Sequence, residues 1–127
     1  MKWKLLNFWK PGIWLIIICY LSLMPANEFP RISLFNFPGF DKLVHFGFYF
    51  ILSLFLFKPF SKVLTYPVTC TIVTAALAGG LIEILQKEYT TSRHADVFDF
   101  LADLAGILAA VIFYILSIRG RRTERYF

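Results

Sequence analysis

Charge is scarce in this sequence, and negative charge scarcer still: 17% of the 127 residues are Asp, Glu, Lys or Arg, and only 8 are acidic. Soluble domains carry about 25% charged residues, so the chain lacks the polar coat that water demands. Two cysteines are too few for a disulfide framework. There is no nucleophile elbow, no H-E-x-x-H pair and no phosphate-cradling glycine loop, so no familiar catalytic motif names a reaction. Internal repeats and low-complexity tracts are also missing. What abounds is apolar surface: 58% of residues are hydrophobic and 19% aromatic, with 15 Phe, 6 Tyr and 3 Trp, and the mean hydropathy is +0.66. One small core cannot hide that much, which makes the lipid bilayer the expected solvent. The net charge of +5 and pI near 9.4 then point to a membrane whose cytoplasmic side attracts cations, and not to nucleic acid.

Four apolar stretches, at about residues 5–24, 43–57, 64–86 and 97–118, predict a single all-α membrane domain over residues 1–127, an integral four-helix bundle. A helix needs about 20 residues to cross the hydrocarbon core; the second stretch is short of that. Lys2, Lys4 and Lys10 ahead of the first stretch imitate a secretory signal, but Met24, Pro25 and Ala26 make a poor cleavage site, so the stretch reads as a retained span. Residues 25–40 carry Pro25, Pro30 and Pro38 among Phe29, Phe35, Phe37 and Phe40, and read as an apolar flap at the outer interface. Cys19 falls near the middle of the first span and Cys70 near the cytoplasmic start of the third, so they are not expected to pair.

Sorting charge by side gives an orientation. The N-terminus, a turn at 58–62 and the C-terminal tail together hold nine of the thirteen cations and one acid, Glu124. The opposite side and its helix ends hold Arg31, Lys42, Lys87 and Arg93 against seven acids. The sides total +8 and −3, and the positive-inside bias places both termini in the cytoplasm.

Ionisable groups inside apolar spans are costly and are functional candidates by default. Here they gather at the outer ends of spans two, three and four. Asp41, His45 and Tyr49 stand at i, i+4 and i+8, on one helical face, with Lys42 beside the first. Asp41 alone reads equally well as a helix-end charge, and His45 as a histidine satisfied in the core. Glu83 and Gln86 share a face at the end of span three, after small-xxx-small pairs Ala75/Gly79 and Ala76/Gly80 that suit close helix packing. Span four opens after Arg93 with the stripe Asp96, Asp99, Asp103, Gly106, Ala110, and Ala102, Gly106 and Ala110 form a second small-residue seam. Three carboxylates on one stripe call for cations, protons or a metal; ion pairs with Arg93, Lys42 and Lys87 that merely orient the bundle are the plainer reading.

Taken in order, these residues resemble the VanZ-like family of small bacterial membrane proteins. The matching elements are Ser22-Leu23-Met24-Pro25, Asp41-Lys42-x-x-His45-Phe46 with Tyr49, Glu83-x-x-Gln86, Arg93, and Asp99-x-x-x-Asp103-x-x-Gly106. The resemblance implies a multi-pass protein of the bacterial cytoplasmic membrane, with a founding member linked to resistance to the glycopeptide teicoplanin; it implies no reaction. The family pattern has Asn where this chain has Asp103, an added acid.

Three functions follow as expectations. The first is a binding protein of the cell envelope, whose outward-facing pocket of Asp41, Lys42, His45, Tyr49, Glu83, Gln86, Arg93, Asp99 and Asp103 holds a membrane lipid headgroup, a cell-wall precursor or other lipid-linked ligand, or a cationic ligand. Lys42 and Arg93 would meet phosphate. The second is an intramembrane enzyme at the outer leaflet, working by acid/base chemistry or through a metal on His45, Glu83 and Asp99. The third is a proton or ion path through a homo-oligomer joined at the small-residue seams.

Overall fold

A computed structural model describes residues 6–25, 37–89 and 96–121. Most of the proline- and Phe-rich flap, together with Arg93 and the end of the C-terminal tail, lies outside the described residues. The described chain is all-helical. A 3-10 turn at Leu6–Phe8 leads into α1 (Trp9–Leu23); α2 (Phe40–Val63), α3 (Pro67–Tyr89) and α4 (Val97–Phe113) follow, and α4 runs on into a π-helical turn at Tyr114–Ile118.

Three of these helices are long and apolar enough to cross a membrane: Phe40–Val63, Pro67–Tyr89 and Val97–Ile118, with mean hydropathies of 1.6, 1.9 and 2.3. α1, with 15 residues, is shorter. The chain is thus a multi-pass membrane protein built as a four-helix bundle. Its surface has the polarity expected in lipid: Leu77, Ile84, Leu108, Ile112 and Leu116 are exposed, whereas Ser22, His45, Ser53, Thr71, Glu83, Gln86 and Asp103 are buried. In a bilayer, apolar side chains lose nothing by facing outward, and polar ones are driven in to find each other.

The sequence-based turn at 58–62 is helix instead. α2 continues through Lys58, Pro59 and Lys62 to Val63, 24 residues or about 36 Å at 1.5 Å per residue. Pro59 forfeits one backbone hydrogen bond, but it is buried beside Phe57, and Phe60 packs on the core and edge-on to Phe8 at 5.6 Å. That packing carries the helix past the proline. The link to α3 is residues 64–66, where the Leu64 N–H donates to the Phe60 carbonyl at 2.8 Å, and Pro67 then opens α3 at the position where its missing donor costs nothing. The other end of α2 is set by Gly39, whose φ of 86° starts the helix from a left-handed residue.

Side-chain contacts fix the register. His45 meets Asp103 and Phe57 stacks on Tyr114 at 4.1 Å, so α2 and α4 run parallel. His45 meets Glu83 while Tyr49 lies against Gly79, so α3 runs antiparallel to α2. α2 and α4 approach closely at Gly106, where an added methyl would collide with the Phe46 carbonyl oxygen. Ala75 and Gly79 are likewise buried inside the bundle, and Gly80 faces the Phe100 ring. The small residues are used within one chain. α1 is tied on by the Trp14 indole, which donates to the Phe48 carbonyl at 2.9 Å and sits edge-on to Phe48 and Phe55. Apolar packing of Leu54, Phe57, Ala110, Tyr114 and Ile118 fills the end of the bundle remote from the carboxylates.

Candidate functional site

This topology brings the N-terminal ends of α2 and α4 and the C-terminal end of α3 to one end of the bundle. His45 lies five residues inside α2, Asp103 six inside α4, and Glu83 six from the end of α3. At 1.5 Å per residue each is about 7–9 Å in. Three helices therefore deliver one imidazole and two carboxylates to the same depth.

His45 is the centre. Its Nδ1 shares a hydrogen bond with Asp103 Oδ1 at 2.9 Å and stands 4.0 Å from Glu83 Oε1; Nε2 on the opposite edge stands 3.9 Å from Asp99 Oδ2. Both oxygens of Glu83 and the second oxygen of Asp103 are buried with no hydrogen-bond partner among the described residues. Asp103 is 1% exposed and Glu83 8%. Buried carboxylate oxygens left in this state cost several kcal/mol in a medium without water, so the arrangement requires something positive, or a proton, to complete it. One donor atom each from His45, Glu83 and Asp103 lies within 4.8 Å of the others. The sequence-based metal set joined His45 and Glu83 with Asp99; the fold joins them with Asp103 and leaves Asp99 on the other side of the ring.

Lys42 forms the rim. Its ammonium reaches Asp41, Asp96 and Asp99, each at 3.1 Å. This lysine, expected to receive a phosphate, is surrounded by carboxylates of its own chain. Asp99 links rim and centre, with one oxygen toward Lys42 and the other toward His45. Asp96 also has two tasks: Oδ1 caps α4 by accepting from the Phe98 N–H at 2.9 Å while Oδ2 takes Lys42. The Phe98 N–H and the Lys42 ammonium hold the Asp96 carboxyl below the usual carboxylate range. Altogether five carboxylates face one ammonium and one imidazole.

The remaining candidates divide. Tyr49 is buried one turn below His45, its hydroxyl without a hydrogen-bond partner among the described residues. Gln86 is buried, but its amide donates to the Ser22 carbonyl at 2.7 Å, joining the ends of α3 and α1. Arg93 lies outside the described residues. Sequence reasoning missed Gly79 as part of the site. A Cβ there would lie 3.0 Å from Asp103 Oδ2 and 3.4 Å from the Tyr49 ring, so the glycine makes the space that the inner carboxylate occupies. The available signal was its position one turn before Glu83 on the same face. Asp96, read only as one of a stripe, is the cap that also holds Lys42.

With this geometry in view, similarity to known proteins adds one relation. The chain is 32% identical over 116 residues to Uncharacterized protein C11E3.10 of Schizosaccharomyces pombe, covering 88% of this chain and 67% of that protein. It belongs to the same family. No protein-family model matches the chain, and no solved structure matches it.

Proposed function

We propose that this is a VanZ-like membrane protein whose function is binding: the polar pocket at one end of the bundle receives a positively charged group, presented by a lipid headgroup, a cell-wall precursor or a free cation. One observation carries the reading. Five carboxylates converge on one ammonium and one imidazole, and the innermost oxygens, on Glu83 and Asp103, have no hydrogen-bond partner among the described residues. Such a site repels phosphate and attracts cations. Lys42 supports the same reading, because its own ammonium is already the rim's cation.

The orientation is part of the proposal. The +8 and −3 division of charge supports both termini in the cytoplasm and the pocket at the outer leaflet of a bacterial cytoplasmic membrane. The fission-yeast relative puts a family member in a eukaryote, so resistance to glycopeptides is not carried over with the architecture. Reporter fusions at each terminus test the orientation: both should report cytoplasmic, and one on each side would refute it.

Thermal unfolding of the full-length protein in mild detergent tests the pocket. Zn2+ or ethanolamine should raise the Tm of the wild type and leave Asp103→Asn unmoved. Stabilisation by inorganic phosphate alone, or by none of the three, would overturn the reading.

A further inference from the structure

We propose that His45, Glu83 and Asp103 form a binding site for a divalent transition-metal ion, with zinc or manganese the ions that fit the donor set; this rests on the reading of the pocket as cation-binding and names its occupant. The donors are one imidazole nitrogen and two carboxylate oxygens, a combination typical of borderline divalent ions, whereas calcium takes six to eight oxygens. They come from three different helices, all three side chains are buried, and their donor atoms lie within 4.8 Å of one another. Ligands around a zinc ion sit about 2.0–2.2 Å from it. The 2.9 Å between His45 Nδ1 and Asp103 Oδ1 already suits two adjacent ligands, and Glu83 Oε1, at 4.0 Å from Nδ1, closes the set by turning its carboxylate.

The cluster is more than acidic. Asp103 is 1% exposed and its Oδ2 is buried without a hydrogen-bond partner among the described residues, as are both oxygens of Glu83. Burial keeps these oxygens from solvent, and one oxygen of each carboxylate lies within 4.8 Å of the imidazole donor atom. The surroundings have the form of a metal site's outer shell. A ligating imidazole usually has a carboxylate at its other nitrogen to orient it, and Asp99 Oδ2 stands 3.9 Å from Nε2. Gly79 supplies room beside Asp103. Binding through Nδ1 displaces the proton that this nitrogen and Asp103 share, and the neutral imidazole then carries its proton on Nε2, toward Asp99. Three protein donors leave at least one coordination position for water or for an oxygen of a headgroup.

The test is titration of the full-length protein, purified in mild detergent and stripped with chelator, with Zn2+ by calorimetry, Co2+ by visible absorption and ethanolamine by thermal shift. The expected result is one ion per chain, a Co2+ spectrum altered from that of the aquo ion, and affinity at least tenfold weaker in His45→Gln, Glu83→Gln and Asp103→Asn. Lys87→Ala, on the exposed end of α3, should bind as the wild type does. If the site variants do not fold, the wild-type Co2+ spectrum and stoichiometry decide: an aquo-like spectrum or no bound ion overturns the metal site. Ethanolamine stabilisation that depends on Asp103, without metal binding, overturns the metal and leaves the cationic pocket standing. Absence of both responses overturns both.

Discussion

The imidazole of His45 and the carboxylate of Asp103 meet at 2.9 Å across the interface of two parallel helices, and Asp103 is 1% exposed. Among the described residues the imidazole has no other carboxylate as close, since Glu83 stands at 4.0 Å and Asp99 at 3.9 Å. Removing one partner leaves the other buried and unpaired, which costs about 1–3 kcal/mol. His45→Leu and Asp103→Leu should each lower stability by that order in metal-free protein. The double variant should cost less than the two single variants together, because it leaves neither of the pair to be desolvated alone. Unfolding in a graded detergent mixture checks it; additive losses would show that the pair is not coupled.

Lys42 is a cation supplied by the chain itself. Its contacts with Asp41, Asp96 and Asp99 at 3.1 Å are partly exposed, so they contribute little to stability. They do lower the negative potential at the mouth. Lys42→Ala should therefore strengthen Zn2+ binding, by about three- to tenfold at low ionic strength, and the gain should shrink as salt is added. Calorimetry at two salt concentrations measures both; weaker binding in the variant would show that Lys42 instead holds Asp99 in place for the site.

Two glycines should answer the same substitution with opposite signs. Gly12 in α1 has open space around it, so Gly12→Ala should stabilise by up to about 1 kcal/mol through helix propensity. Gly106→Ala drives a methyl into the Phe46 carbonyl and should destabilise by about 1–3 kcal/mol as α2 and α4 are pushed apart. Thermal unfolding of both variants is the check. Equal responses would mean that the α2–α4 approach is looser than the structure has it.

The head of α4 gives a pH signature. The Asp96 carboxyl is held low, first by the Phe98 N–H and then by Lys42. A folded pKa below the unfolded value means that the cap's contribution is complete above about pH 4, the ordinary aspartate range, and is lost as pH falls through the lowered value. Protection of the Phe98 amide from hydrogen exchange, corrected for intrinsic rate, should hold steady through the neutral and mildly acid range and fall only in stronger acid. Asp96→Ala should lose it at every pH, while Asp96→Asn, also a good cap, should keep it without the acid transition. Full protection in Asp96→Ala would remove the cap from the account.

The faces of the helices were legible because the period of a helix is fixed. Asp41, His45 and Tyr49 at intervals of four, and Asp96, Asp99 and Asp103 at intervals of three and four, could be placed on stripes from spacing alone. Which stripe meets which was not legible, since periodicity gives a face and not its rotation about the bundle. For that reason spacing alone puts Asp99 in the metal set where the fold brings Asp103, and puts Gln86 in the pocket although its amide joins Ser22. The end of α2 is hidden in the sequence for a different reason. Lys58, Pro59 and Lys62 have the local character of a turn, but packing of Phe57 and Phe60 overrides it. Counting residues from the span ends already puts the ionisable groups of the three spans near one level; which of them touch emerges only from the register and rotation of the helices.

Gly79 contributes nothing that a chemist would count as a functional group. Yet every other amino acid begins with the carbon that would stand 3.0 Å from Asp103 Oδ2. Alanine would press the carboxylate aside by a few tenths of an ångström, and a branched residue would evict it. A family member can therefore keep all the acids of the cluster and still lack a seat for the innermost one. In the fission-yeast relative, the size of the residue aligned with position 79 is the quickest sign of whether the charged cluster is assembled there or only spelled out.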